Sequence, residues 1–372
     1  ALLQVAPVLP AAVPVEPVTV IRNARVFDGT GATLSAPQTV MIRGDRIAAV
    51  GNALTIEPGA QVIDAGGRTL MPGMIDAHAH VMLQLSYGKG LSTDSFYWAY
   101  MSTRSAKSFL DSGFTSIRDM SGNSFSLKQA IDEGLLPGPR IYPSGPMISQ
   151  TAGHGDMRTA ANPSRMLDPE SRSHFEALGM VVVADGRSAV LQAARENLRR
   201  GATQIKIAVG GGVASYADPL DVTQYTDDEI RAAVEAAKDW GTYVAAHVYN
   251  SDGIRRAIDN GVRSIEHANL VDRKTLQYMK DKGVWLSPQV LVFKSEIRGL
   301  TPDQQAKQRQ ALDGIDQMMT AAREIGYENI VFGADIVTNP DVLAHIGEEL
   351  TLRTRWFKPV EILRQATSKA GE

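Results

Sequence analysis

Polar and apolar residues alternate in three short segments near the start of the chain, residues 18–27, 38–50 and 61–70. These segments are rich in β-branched residues, and turn-forming pairs such as Asp28-Gly29 and Gly44-Asp45 accompany them. Alternation with a period of two is typical of strands that bury one face. The pattern therefore predicts a small β-structured region over residues 18–70.

From residue 71 onward the pattern changes to apolar strands that alternate with amphipathic helices, about eight times. The predicted strands cover residues 72–81, 114–120, 140–148, 203–210, 242–249, 263–270, 284–292 and 329–337. The clearest predicted helices, with apolar residues every three to four positions, cover residues 188–200, 226–240, 252–260, 272–282 and 303–325. This organisation predicts an α/β fold, a (β/α)8 TIM-like barrel, which typically needs about 250 residues.

An open doubly wound sheet is the alternative fold. It usually carries a glycine fingerprint after its first strand, and neither GxGxxG nor GxxxxGK[ST] occurs there. Helix boundaries also support the barrel: Thr226 and Glu229 form a capping-box pattern, and Gly241 follows that helix. Glycines at the other predicted helix-to-strand junctions are Gly201, Gly261 and Gly283.

Composition excludes several classes of protein. With 44% hydrophobic residues among 372, the chain can bury a large core, so global disorder is excluded. A balance of 38 basic and 41 acidic residues gives no electrostatic footprint for nucleic-acid binding. The absence of cysteine excludes disulfides, thiolate zinc sites and a cysteine nucleophile. No GxSxG elbow precedes a helix, which argues against a serine hydrolase.

Residues 1–17 are interpreted as an N-terminal arm. Its first 15 residues are apolar but are interrupted by Pro7, Pro10 and Pro14, and Glu16 ends the run. A membrane helix needs about 20 mostly apolar residues, so we expect no membrane span here. The arm is either the remnant of a secretory signal or an ordered or floppy apolar arm on a soluble protein, and localisation, cytoplasmic or exported, stays open.

Four of the seven histidines fall at the ends of predicted strands. His78 and His80 belong to Met74-Ile75-Asp76-Ala77-His78-Ala79-His80-Val81, where alternation places both on one face. His247 and His267 close two successive strands. Imidazoles at equivalent heights on barrel strands can chelate a metal ion, and this placement favours ligands over core packing.

Two further residues extend this set. Lys206 lies within the apolar strand Gln204-Ile205-Lys206-Ile207-Ala208, where a buried ammonium is costly unless it is neutralised or modified. Asp335 follows Val331-Phe332-Gly333-Ala334 at the end of the last strand and can ligate a metal or accept a proton. Singly, Lys206 is more often a snorkelling side chain and Asp335 a helix cap; beside four placed histidines, the functional interpretation is favoured.

Weaker candidates surround this set. His154 lies between glycines after the third strand and is a candidate for substrate contact. Tyr249 shares a strand face with His247 and either binds a substrate carboxylate or oxyanion, or lines the wall. Gly210-Gly211-Gly212 allows close approach to a ligand or forms a tight turn, and the long loop 149–187 is a candidate substrate lid. Val290 and Phe293 are candidate apolar wall residues, and Arg158 and Lys294 are candidate carboxylate-binding cations.

The motifs together resemble the amidohydrolase superfamily in its binuclear-metal form along nearly all of residues 18–372. The strand-end sequence PGMIDAHAH, the strand lysine, two later histidines and the final GAD aspartate occur in the family's order. GHGDMR (153–158), IKIAVGGGV (205–213), AAHVYNSDGIRRAIDNGVRSIEHA (245–268) and FGADIVTNP (332–340) resemble the prolidase and carboxypeptidase-like branch, which includes ochratoxinases.

The resemblance implies two divalent metal ions, usually zinc. His78, His80 and Asp335 would hold one ion, His247 and His267 the other, and a carbamylated Lys206 would bridge both. A metal-bridging hydroxide would attack an amide or peptide bond adjacent to a C-terminal amino acid, in a dipeptide, an N-acyl amino acid or an ochratoxin A-type substrate. Asp335 would carry the proton to the leaving amine.

The resemblance leaves two alternatives to this function. One is a phosphotriesterase or lactonase, which uses nearly the same ligands. The other is a non-catalytic assembly subunit, which is ranked last because such relatives lose ligands. The resemblance also implies a homo-oligomer, with an octamer as one candidate form.

The resemblance assigns residues 18–70 to a small β-sandwich and residues 71–372 to a metal-dependent hydrolase barrel. Further sandwich strands, ending in a segment similar to ADLVVLD, normally follow the barrel. This sequence ends at Ser368-Lys369-Ala370-Gly371-Glu372 without them. We expect the missing strands in residues that follow, because half a sandwich would expose apolar faces and unpaired edges.

Overall fold

A computed structural model describes residues 16–372. Of the predicted N-terminal arm, residues 1–15 lie outside the described part of the chain. The chain divides into two compact units, one that ends at Pro72 and one that covers Gly73–Glu372. No helix within residues 16–372 is long and apolar enough to cross a membrane.

The first unit contains one five-stranded sheet. Its strands are β1 (Val18–Val26), β2 (Pro37–Arg43), β3 (Arg46–Gly51), β4 (Gln61–Asp64) and β5 (Thr69–Leu70). β1 pairs antiparallel with β2 and parallel with β4 and β5, while β3 pairs antiparallel with β2. The predicted strand 38–50 is therefore two strands, because the chain reverses at Gly44-Asp45. The predicted strand 61–70 is also two strands, β4 and β5, separated by residues 65–68. The second layer of a sandwich stays a prediction.

The second unit is an α/β structure whose strand pairs are all parallel among the described residues. One sheet has the order β6-β7-β8 and the other the order β10-β9-β11-β12-β13-β14. These strands are β6 (Met74–Ala79), β7 (Phe114–Asp119), β8 (Arg140–Pro143), β9 (Met147–Ser149), β10 (Val181–Val183), β11 (Ile205–Ala208), β12 (Val244–Asn250), β13 (Ser264–Leu270) and β14 (Trp285–Ser287).

Helices connect and flank these strands. They are α1 (Tyr87–Leu91), α2 (Ser95–Asp111), α3 (Phe125–Asp132), α4 (His174–Ala177), α5 (Arg187–Arg199), α6 (Asp227–Asp239), α7 (Ser251–Asp259), α8 (Arg273–Asp281), α9 (Leu291–Lys294), α10 (Pro302–Glu324), α11 (Pro340–Leu343), α12 (Glu348–Arg353), α13 (Pro359–Gln365) and α14 (Ser368–Gly371). The five predicted helices agree with α5, α6, α7, α8 and α10 to within one residue at each end.

The predicted capping box and helix-terminating glycines are also confirmed. Thr226 and Glu229 form the capping box of α6. The four junction glycines have positive φ, the conformation that glycine adopts without steric cost. Local signals at helix ends therefore located the helix-to-strand connections.

Three strand predictions for the second unit need correction. The segment 140–148 is not one strand, because Gly145 has a φ of +71° and Pro146 has no N–H to donate, so β8 and β9 are separate. The strand predicted over 284–292 ends at Ser287, and α9 begins at Leu291. The segment 329–337 makes only an isolated bridge, between Ile330 and Leu286.

That segment nevertheless bonds to both sheets. Val331 N donates to Leu286 O of β14 at 3.0 Å, and Ala77 N of β6 donates to Phe332 O at 2.8 Å. Asp335 N donates to His78 O at 2.8 Å. Asp335 is thereby fixed beside the C-terminal end of β6.

Candidate metal centre

His78 and His80 lie at the C-terminal end of β6, and both line one pocket. Their ring centroids are 5.2 Å apart. The Nε2 atoms of His78 and His80 lie 3.5 Å and 2.9 Å from Oδ1 of Asp335. The structure therefore brings these three predicted ligands together.

The backbone is strained at two of the predicted ligands. Asp335 has a φ of +54° and His267 has a φ of +75°, values that side-chain-bearing residues rarely adopt. Oδ2 of Asp335 lies 3.7 Å from Nδ1 of His267. Such conformations cost about 1–3 kcal/mol each and cluster at functional sites, which supports a functional role for both residues.

Hydrogen bonds from the protein orient two of the imidazoles. Nδ1 of His78 lies 2.7 Å from Oε2 of Glu266, and since a carboxylate can only accept, His78 carries its proton on Nδ1. Nδ1 of His267 lies 2.7 Å from Oε1 of Gln289, whose amide nitrogen donates to Ser287 O. Both rings therefore keep the lone pair on Nε2 available for a ligand.

Lys206 is buried in β11 between Ile205 and Ile207, and its side chain is 1% exposed. Its Nζ has no hydrogen-bond partner among the described residues. Burial lowers the pKa of Lys206 to about 8, although the charges of Glu266 and Asp335 act in the opposite direction. Burying an amine without a hydrogen-bond partner costs free energy, and no hydrogen bond within the described chain offsets this cost for Lys206.

The donor atoms fit a bound metal. Single ligand atoms of His78, His267 and Asp335 lie within 4.8 Å of one another. This group differs from the predicted ligand sets, in which His267 holds one ion and His78 and Asp335 hold the other. Nδ1 of His80 and Nε2 of His267 are buried without hydrogen-bond partners in the described part of the chain. Imidazole nitrogens and a carboxylate suit divalent transition metals, and a metal would satisfy such unpaired atoms.

His247 and His154 form the other side of the site. Their rings stack with centroids 4.0 Å apart, and Nε2 of His247 lies 3.0 Å from Gly211 O. Tyr249 stacks on His267 at 5.1 Å and lies perpendicular to His247. All four side chains line the pocket, so the structure places the candidate substrate contacts, His154 and Tyr249, beside the candidate ligands.

The glycine run after β11 gives space to His154. A Cβ on Gly212 would lie 1.8 Å from Nδ1 of His154, so a larger residue there would displace the ring. The same ring nitrogen lies 3.0 Å from Oγ of Ser215. Burial lowers the pKa of His154 to about 3, with the Lys307 charge acting in the same direction, so the ring is neutral near pH 7.

Sequence reasoning missed the residues that orient the candidate ligands. Glu266 accepts hydrogen bonds from Arg118 and Ser264 at 2.7 Å each, in addition to its contact with His78. A charged residue inside an apolar strand was an available signal for Glu266 and Arg118. No sequence signal identified Gln289, because its contact with His267 depends on how the chain folds.

The predicted cations do not reach the pocket. Both guanidinium contacts of Arg158 go to the carboxylate of Asp156, at 2.8 Å and 2.7 Å. Lys294 lies outside the pocket lining. Of the predicted apolar wall residues, Phe293 lines the pocket and Val290 does not.

A family model described as amidohydrolase family matches residues 69–370. The chain belongs to the amidohydrolase family. Members of this family typically use divalent metals, in agreement with the donor atoms gathered in the pocket.

Two solved structures are similar to this chain. A prolidase complexed with N-methylphosphonate-L-proline is 36% identical, with a TM-score of 0.88, over 95% of this chain and 86% of that chain. A Xaa-Pro dipeptidase with bound methionine is 28% identical, with a TM-score of 0.82, over 94% of this chain and 87% of that chain.

An ochratoxinase from Aspergillus niger is 30% identical over 314 residues, which cover 81% of this chain and 64% of the relative. The chain therefore spans less than two thirds of the length of these curated ochratoxinases.

Proposed function

We propose that this protein is a metal-dependent amidohydrolase that cleaves an amide or peptide bond adjacent to a C-terminal amino acid. The observation that carries the proposal is the pair of unpaired buried nitrogens, Nζ of Lys206 and Nε2 of His267, on residues that line the same pocket as Asp335. Dipeptides, N-acyl amino acids and ochratoxin A-type amides are the candidate substrates, because the similar proteins include prolidases and an ochratoxinase.

The proposed ligands are six side chains of the pocket: His78, His80, Lys206, His247, His267 and Asp335. They would hold two divalent ions, with zinc as the proposed metal and Lys206 carbamylated. Carbamylation would convert a buried, unpaired amine into an anionic ligand, and the positive charge of the ions would offset the cost of burying it. The chemistry that such ions supply is polarisation of a carbonyl and acidification of a water molecule.

Asp335 would move the proton in this reaction. Burial acts to raise its pKa, but the nearby His78 and His80 rings hold the pKa of Asp335 well below its usual range. The carboxylate is therefore ionised and can accept the proton of the attacking water, then donate it to the leaving amine. His154 and Tyr249 are the proposed contacts to the substrate carbonyl or to the leaving group.

The proposed scaffold for this site is a closed (β/α)8 barrel. The hydrogen bonds of segment 329–335 to both β14 and β6 support closure between the two parallel sheets. Closure would place the six ligands around the mouth at the C-terminal ends of the strands, where enzymes of this fold carry their active sites.

Amine release by the zinc-loaded protein tests the function. The panel contains Xaa-proline dipeptides, Xaa-aromatic dipeptides, N-acyl amino acids and ochratoxin A, each assayed with and without a chelator. We expect chelator-sensitive cleavage of at least one class. Cleavage of phosphotriesters or lactones instead, with the amide panel untouched by protein that holds two metals, would contradict the proposal.

A further inference from the structure

The walls of the pocket are mostly apolar. Tyr87, Trp98 and Phe175 form one aromatic cluster, in which the Phe175 ring centroid lies 5.9 Å from each of the other two. Phe293 and Ile297 line another part of the wall. Such a wall stabilises a bulky apolar substituent of a substrate, because their contact removes the apolar surface of both the wall and the substituent from water.

Lys206 and Asp335 are the only Lys, Arg, Asp or Glu side chains among the described residues that line the pocket. Both belong to the proposed metal centre. No cation from the described lining is therefore left to pair with a carboxylate on the substrate.

Three cations close to the lining have partners outside it, and a fourth, Lys294 beside Phe293, is exposed. Arg158 pairs with Asp156, and Arg298 pairs with Asp341 at 2.9 Å. Nζ of Lys307 donates to three backbone carbonyls of the loop after β11, at 2.6, 2.7 and 3.1 Å. A substrate carboxylate in this pocket would lose its hydration without gaining an ion pair, which is unfavourable.

We infer that the pocket selects amides whose amine part carries a bulky apolar group, and that a carboxylate on this part is dispensable. The substrate class is then uncharged arylalkyl and alkyl amides as well as N-acyl amino acids. This inference rests on the proposed function and concerns recognition within the same site.

Four matched compounds test it: N-benzoyl-L-phenylalanine, N-benzoylglycine and the C-terminal carboxamide of each. Benzoate release by the zinc-loaded protein reports cleavage of the same bond in all four. We expect kcat/KM for the phenylalanine carboxamide to equal or exceed that of the acid. We expect kcat/KM for the phenylalanine compounds to exceed that for the glycine compounds by about 10- to 100-fold, the effect of burying one aromatic side chain. An acid preferred over its carboxamide by more than about tenfold, the size of a charge-assisted hydrogen bond, overturns the inference.

Binding separates failure of this inference from failure of the proposed function. If none of the four compounds releases benzoate, the proposed hydrolysis of such amides fails, and Kd values from calorimetry on the same protein decide recognition. Carboxamide affinity equal to or above that of the acid supports the inference. Acid affinity more than about tenfold higher, or no binding of either phenylalanine compound, overturns it.

Two variants locate the effect. Phe175→Leu removes the ring from the aromatic cluster and is expected to reduce the preference for phenylalanine over glycine. Phe125→Leu is the control, because the Phe125 ring packs on Arg200 outside the pocket, and it is expected to leave this preference unchanged. Arg158→Met is expected to leave the ratio of acid to carboxamide unchanged. If Arg158→Met selectively lowered kcat/KM for the acid, Arg158 would be a carboxylate-binding cation and the inference would be overturned.

Discussion

Oε2 of Glu266 lies 2.7 Å from Nδ1 of His78, and both side chains are buried. The other carboxylate oxygen accepts a hydrogen bond from Arg118. Burial alone would raise the pKa of Glu266, but Arg118 and His78 hold it well below its usual range. An ionised Glu266 therefore fixes the orientation and tautomer of His78 from β13, a strand of the other parallel sheet.

Glu266→Gln is expected to weaken metal binding by about 10- to 100-fold, the usual effect of losing a carboxylate behind a metal-binding histidine. The amide keeps the shape of the side chain but loses its negative charge. Its NH2 group is a hydrogen-bond donor that would face the donor groups of Arg118. Competition with a chromophoric chelator measures the affinity. Glu235→Gln, at an exposed partner of Arg187, serves as the control, and equal affinities in both variants would remove Glu266 from this role.

Lys206→Ala is expected to bind less metal and to lose hydrolytic activity, because the proposed bridging ligand is gone. Short carboxylic acids should restore part of both properties when they occupy the space of the carbamate. Metal content and amine release measure the effect, with Lys238→Ala on α6 as the control. Full metal content and activity in Lys206→Ala would show that the carbamate model is wrong.

Asp335→Asn is expected to preserve the fold while lowering kcat by about 100- to 10,000-fold, the range for loss of a general acid–base group. The amide cannot accept a proton at neutral pH, although it can still contact His78 and His80. Steady-state kinetics and circular dichroism on the same preparation measure the two effects. Near wild-type turnover would exclude Asp335 as the proton carrier.

Arg353 is buried in α12 and pairs with Glu349 at 2.8 Å. Its guanidinium also donates to Val331 O and Gly333 O, just before Asp335, at 3.1 Å and 3.2 Å. Arg353→Met is expected to lower the free energy of unfolding by about 3–5 kcal/mol, since it leaves a buried carboxylate unpaired. Urea unfolding measures the loss.

The matched control for this ion pair lies two residues along the chain. Arg355 makes an exposed pair with Asp316, and Arg355→Met is expected to cost at most about 1 kcal/mol. Equal losses in the Arg353 and Arg355 variants would show that the buried pair does not hold the segment before Asp335.

The sequence predicted the candidate site better than the surroundings that hold it. His78, His80, His247 and His267 could be located because strand alternation and strand ends are local properties of a sequence. The contacts of Gln289 and Arg353 could not, because they join segments that are far apart in the chain. The break between β8 and β9 was missed although Ser144-Gly145-Pro146 carried a turn signal.

The last strand shows a second limit of sequence patterns. Residues 329–337 have the composition of a buried strand, but they form only one isolated bridge, and positive φ values at Asp335 and Thr338 end the extended conformation. Apolar composition predicts burial there and does not determine how many ladder hydrogen bonds form.

Titration of metal-free protein with zinc, with bound metal and amide hydrolysis followed together, tests whether the pocket holds two ions and needs them for hydrolysis. We expect two tightly bound ions per chain and hydrolysis that rises to a plateau at the second equivalent. Hydrolysis that needs no metal, or a chain that binds none, would contradict the assignment of this pocket as a binuclear metal centre.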